Sequence, residues 1–134
     1  MELTDEQRVY LEYARVCRLA TVDGEGQPHV VPVCPILVDG KIYVASEDNR
    51  KVRNVRGNPK VALAYDDYVE DWTALRGITV FGTLSRIIDR GPDFALLVEA
   101  FYAKFPQYAP QAGPITEENS VILEIAIDRV SGEL

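Results

Sequence analysis

Apolar positions along the 134-residue chain change their period several times, and each change marks an element. Thr4 followed by Gln7 reads as a capping box, and Val9, Tyr13 and Val16/Cys17 recur at helical spacing, predicting an amphipathic helix over about residues 4–16. Arg18-Leu19-Ala20-Thr21-Val22 and Pro28-His29-Val30-Val31-Pro32-Val33, separated by Asp23-Gly24-Glu25-Gly26, read as a hairpin. Asp39-Gly40 is the strongest hairpin signal present, because both central residues of a type I′ turn need positive φ. It is expected to join the second strand to a third over Lys41-Ile42-Tyr43-Val44-Ala45.

A short basic helix over about residues 49–56 is expected to stop at Gly57, with Asn58-Pro59 behind it. Val61-Ala62-Leu63-Ala64-Tyr65 is apolar on both faces, as for a strand covered twice, by its own barrel interior and by a helix or a second subunit. Residues 77–88 read as a long strand with Gly82 as a bulge or close-approach point. Pro92 opens a helix whose Phe94, Leu97, Val98, Phe101, Tyr102 and Phe105 form one stripe, ended by Pro106. A loop to Asn119 and a last strand over residues 120–128 complete the chain. Six strands joined mainly by hairpins, with too few helices for a βαβ repeat, predict a mainly β (α+β) fold, either an antiparallel barrel or an α+β sheet, with flanking helices.

Composition adds bounds. With 47% apolar and 26% charged residues, the chain reads as one globular domain over residues 1–134. It is short enough that a large ligand would sit more readily between two subunits than inside one. A formal net charge of -7 disfavours nucleic acid and anionic membranes as partners, and the aromatic interleaving expected of single-strand binders is missing. Cys17 and Cys34 have no CxxC spacing and His29 is the single histidine, so no metal site is expected. No apolar run approaches a bilayer span and the start is polar and acidic, which predicts a cytoplasmic protein.

Against that acidic background, Arg50, Lys51, Arg53 and Arg56 fall together at the start of the basic helix, just after Ser46. Unpaired N–H groups at a helix start, two or more cations and a hydroxyl suit a phosphate monoester. The same residues also fit a solvated helix face paired with Glu47 and Asp48, and both readings stand at this point. Pro32 inside a strand requires an edge or a bulge, which frees nearby backbone groups to meet a planar ring edge-on. His29 reads as a half-exposed strand residue or a proton donor to such a ring, with no orienting carboxylate in the sequence. Trp72, in the Tyr65-Asp66-Asp67-Tyr68-Val69-Glu70-Asp71-Trp72 connection, reads as a stacking cover over an aromatic ligand or as a core or interface anchor. No Ser/His/Asp triad, P-loop or GxGxxG occurs, so catalytic residues stay unassigned.

In order and spacing, Arg18-Leu19-Ala20-Thr21-Val22, Gly26-Gln27-Pro28-His29-Val30-Val31-Pro32-Val33, Asp39-Gly40, Arg50-Lys51-Val52-Arg53-Asn54-Val55 and Asn58-Pro59-Lys60-Val61-Ala62-Leu63 resemble the pyridoxamine 5'-phosphate oxidase-like split-barrel superfamily. Arg129-Val130-Ser131-Gly132 resembles its usual ending, and Asp71-Trp72 with Leu75-Arg76 resembles a short branch often assigned to the deazaflavin coenzyme F-420. The resemblance implies a six-stranded split β-barrel that forms a homodimer with two interface sites. It implies a cofactor phosphate on Arg50 and Lys51 and a ring against His29, Val30, Val31, Pro32 and Val33. The chain lacks the closing arginine-containing segment by which the founding oxidase binds substrate phosphate, so oxidation of pyridoxamine phosphate is not expected. The expected function is an FMN- or F-420-dependent oxidoreductase acting on a small conjugated or aromatic molecule. The alternative is a non-catalytic carrier of flavin or haem on the same fold.

Overall fold

Thr4 caps the first helix as its sequence requires: its hydroxyl accepts from Gln7 N and the Gln7 side chain returns to Thr4 N, so α1 spans Asp5–Tyr13. The computed structural model describes residues 1–108 and 110–134. After α1 come β1 (Cys17–Val22), β2 (Pro28–Val33), β3 (Ile36–Val38), β4 (Lys41–Ser46) and α2 (Arg50–Gly57). The second half holds β5 (Lys60–Asp67), β6 (Arg76–Ile88), α3 (Gly91–Lys104) and β7 (Val121–Ser131), with short 3-10 turns at Trp72–Ala74 and Pro106–Tyr108. Ala109, inside the expected loop, lies outside the described residues.

The strands form one antiparallel sheet in the order β2-β1-β5-β6-β7-β4-β3. β2 and β3 are therefore its two edges, yet only Cys34 and Pro35 separate Val33 from Ile36. Three residue steps reach about 10 Å, so the sheet must curl until its edges approach, giving a half-barrel. Lys104 Nζ donates to Pro35 O at 2.9 Å, and Arg15 donates to Lys104 O at 2.9 Å, which ties the end of α3 and the α1–β1 link to this seam. The expected six strands become seven because the three-residue β3 lies between Pro35 and the Asp39-Gly40 turn, too short to show a period. That turn is as expected, with φ of 50° at Asp39 and 77° at Gly40, but it joins β3 to β4.

Two cores result. Leu11, Leu19, Ile42, Leu63, Val80 and Leu123 fill the barrel, joined by Val52 and Val55 from α2. On the other side of β4 and β7, α3 packs Phe94, Leu97 and Phe101 against Ile36, Tyr43 and Ile122, the stripe expected of it. Each such side chain contributes about 1.5–3 kcal/mol by leaving water.

Two local expectations need correction. In α1 the buried pair is Tyr10 and Leu11, whereas Val9 and Tyr13 are exposed and Cys17 already belongs to β1. Over so short a helix the spacing is satisfied by either face, and contact with the barrel selects the one holding Leu11. Gly57 is the last residue of α2 without a positive φ. The helix ends instead as Asn58, extended at φ −139°, donates to Asn54 O at 2.8 Å ahead of Pro59. On β5, Val61, Leu63 and Tyr65 face the core, while Ala62 is half-buried and Ala64 exposed on the outer face.

Candidate cofactor site

Ser46 ends β4 and is buried, and its hydroxyl donates to Glu47 O at 2.6 Å and lies 3.5 Å from Asn49 Oδ1. Asn49 is the N-cap of α2 but makes no capping bond with its side chain. Its Oδ1 instead accepts from Lys51 Nζ at 3.3 Å. The first-turn N–H groups of α2 are thus left without a side-chain cap, at the positive end of the helix dipole.

The basic cluster divides on inspection. Arg56 pairs with Asp48 at 3.1 Å and Lys60 with Asp128 at 3.8 Å, as a solvated face would. Arg50, Lys51 and Arg53 have no carboxylate within ion-pair distance among the described residues, in a chain holding 21 acidic residues against 14 basic ones. Burial lowers the Lys51 pKa from its ordinary value, with the charge of Glu47 acting the other way. A partly buried ammonium with no carboxylate is costly unless an anion joins it. Beside it stands the β1–β2 turn: Asp23 is held low by the backbone N–H groups of Gln27 and Glu25, with a smaller contribution from Arg50.

β2 is an edge strand, as Pro32 requires. Its register sets His29 opposite Thr21, Val31 opposite Leu19 and Val33 opposite Cys17, so these three face inward, while Val30 and Pro32 are exposed on the outer face. Thr21 is buried and accepts from Asn54 Nδ2 at 3.0 Å, which fastens α2 to β1 beside His29. The Nδ1 of His29 is buried without a hydrogen-bond partner. Asn49, Asn54, Thr21 and Asp23 were not singled out from sequence. Asn54 carries the one available signal, a polar residue between Val52 and Val55 on the buried side of α2.

Ser46, Arg50 and Lys51 come together, with β2 linked to them through Thr21 and Asn54. Trp72 does not join them within one chain. It is 71% exposed, with Nε1 donating to Tyr68 Oη at 3.2 Å, and its turn is held by Asp71, which accepts from Thr73. The α2 end of β5 is Lys60 and the Trp72 end is Asp67, so a strand length of about 20 Å lies between them.

Residues 3–133 match the family described as pyridoxamine 5'-phosphate oxidase. The chain belongs to that family. A 5a,11a-dehydrotetracycline/5a,11a-dehydrooxytetracycline reductase of Streptomyces rimosus is 36% identical over 89 residues, 62% of this chain. The chain matches 63% of the length of that relative. Among solved structures, an F420 reductase superposes with a TM-score of 0.71 at 21% identity, covering 96% of this chain and 98% of that one. The haem storage protein HutZ of Vibrio cholerae superposes with a TM-score of 0.78 at 17% identity, covering 98% and 94%. Solved structures with such different names thus share this chain's curled sheet. Among the described residues, no helix is long and apolar enough to cross a membrane, and no group of three or more His, Cys, Asp or Glu could hold a metal.

Proposed function

We propose that the protein is an oxidoreductase that binds a phosphorylated flavin or deazaflavin between two copies of itself. The observation that carries this is the set of three cations, Arg50, Lys51 and Arg53, with no ion pair among the described residues, beside an uncapped helix start in a chain of net charge -7. A phosphate monoester fits it: Arg50 and Lys51 supply charge, the first-turn N–H groups supply hydrogen bonds, as does Ser46 once its hydroxyl turns from Glu47 O, and Lys51 regains on binding what it loses by burial. For a ring lying along β2, His29 Nδ1 offers a polar contact on the inward face, or Val30 with Pro32 an apolar one on the outer face. Trp72 from the second copy would close the site and exclude water.

When bound, the cofactor supplies the hydride or electron transfer, and the chain orients it. The reductase relative and the F420 reductase fold support this chemistry, and a small conjugated molecule is the substrate class that suits it. Between cofactors, FMN is favoured: of the cations that could serve the longer anionic tail of F-420, Arg56, Lys60 and Arg76 are already paired and Arg53 alone remains. The second reading, a non-catalytic carrier of flavin or haem, draws on the unpartnered His29 nitrogen and on the fold of the haem storage protein. Steady reduction of an acceptor by the loaded protein separates the two readings.

The test is titration of the apoprotein with FMN and with F-420. Losing one charge-assisted contact costs about 1.5–3 kcal/mol, so Lys51→Ala is expected to weaken FMN binding roughly ten- to a hundredfold, and Arg56→Ala to leave it unchanged. Equal affinities for wild type and Lys51→Ala would remove the phosphate site.

A further inference from the structure

Away from α2, a cleft of about 700 Å³ opens between α1, the link to β1, and the facing ends of β5 and β6. Its apolar wall is the stripe whose helical spacing marked the first helix as amphipathic. Val9, Tyr13 and Val16 line it, and they are 45%, 76% and 37% exposed. Its charged wall holds four carboxylates, Asp5, Glu6, Asp66 and Asp67, against two guanidinium groups, Arg15 and Arg76.

Both arginines are already engaged, Arg76 by groups of the cleft itself and Arg15 by groups outside it. Arg76 lies 4.6 Å over the Tyr10 ring and 3.8 Å from Glu6, and Arg15 bonds to Lys104 O and lies over Phe105. Asp66 is held by Arg18 at 3.0 Å, and Asp5 lies 3.9 Å from Arg8. Asp67 has no ion-pair partner among the described residues. It lies close to Tyr10, whose hydroxyl is raised from its ordinary pKa first by burial and next by the charge of Asp67. An exposed tyrosine ring, two valines and an unpaired carboxylate within one cleft of ligand size complement a flat apolar body that ends in a cation.

We propose that this cleft binds a planar aromatic molecule bearing a protonated amine, with the ring against Tyr13 and the amine on Asp67. This is a binding site separate from that proposed for the cofactor, and it does not rest on the oxidoreductase reading. The probes are 9-aminoacridine, a three-ring cation, and anthracene-9-carboxylate, a three-ring anion, each followed by fluorescence anisotropy with the full chain. The cation is expected to bind at least about tenfold more tightly, and Asp67→Asn to remove most of that preference. Tyr13→Ala is expected to weaken the cation several-fold, while Lys51→Ala and the distant surface change Glu117→Gln leave it unchanged. Tyr13 is exposed, so that variant tests the cleft without disturbing the core. Equal affinity for the two probes, no effect of Asp67→Asn, or an equal loss in Glu117→Gln would overturn the proposal. Loss of probe binding with FMN affinity intact speaks against the cleft alone. Loss of FMN binding with probe binding intact speaks against the cofactor reading alone.

Discussion

Glu124 is 4% exposed on β7, with its two cross-strand neighbours, Tyr43 on β4 and Arg86 on β6, both donating to its carboxylate at 3.0 and 3.1 Å. Lys41 Nζ adds a third bond at 3.3 Å. Burial pushes the Glu124 pKa up, but the bonds from Tyr43, Arg86 and Lys41 together outweigh it and hold the group below its ordinary value of 4.5. A carboxylate with a lowered folded pKa contributes stability above its unfolded value and loses it as pH falls through the folded one. Glu124→Gln is therefore expected to cost about 1–3 kcal/mol near neutral pH, the lower part of that range reflecting the half-exposed Lys41 and Arg86. The gap between wild type and variant should close below pH 4.5, which urea denaturation at several pH values measures. A constant gap would mean that the charge of Glu124 is not what stabilises. Arg50 and Lys51 were legible because they cluster in sequence. Glu124 was not, because a strand buried on both faces hides a polar residue among Ile122, Leu123 and Ile125.

Among the elements, β6 shows how far a local signal reaches. Gly82 was expected at a bulge, and the β6–β7 register shifts between Phe81 and Gly82. A Cβ there would fall 2.7 Å from Ala126 O and 2.7 Å from Ile125 Cγ2, and the first of these belongs to the backbone and cannot rotate away. Gly82→Ala should destabilise by about 1–3 kcal/mol. Gly57→Ala, with open space around it and no positive φ, should be neutral or gain about 0.4–1 kcal/mol. Denaturant midpoints of the two variants check both, and similar midpoints would refute the close approach. The hairpins, α2 and α3 were legible from turn residues and long apolar stripes. The inward face of α1 and the strand β3 were not, since nine residues fit two faces and three fit any period.

For the molecule as a whole, the outer face of β2-β1-β5 carries exposed Val30 and Ala64, and the β5–β6 connection adds exposed Tyr68, Trp72 and Leu75. Apolar surface of this kind supports the proposed homodimer. Light scattering at micromolar concentration should give twice the chain mass, and Trp72→Ala should lower FMN affinity as well as the dimer fraction. A monomer that binds FMN one to one would rule out the shared site. By itself the sequence determined the antiparallel hairpins, the Asp39-Gly40 turn, the α3 stripe and the basic helix, because each rests on residues within a few positions of one another. Only the tertiary structure decided that β2 and β3 form opposite edges brought together across Cys34-Pro35. It also decided that Arg56 and Lys60 are neutralised while Arg50, Lys51 and Arg53 are not, and that Val9 and Tyr13 line a cleft. Those outcomes depend on pairings between distant segments, and neither period nor composition encodes which segments meet.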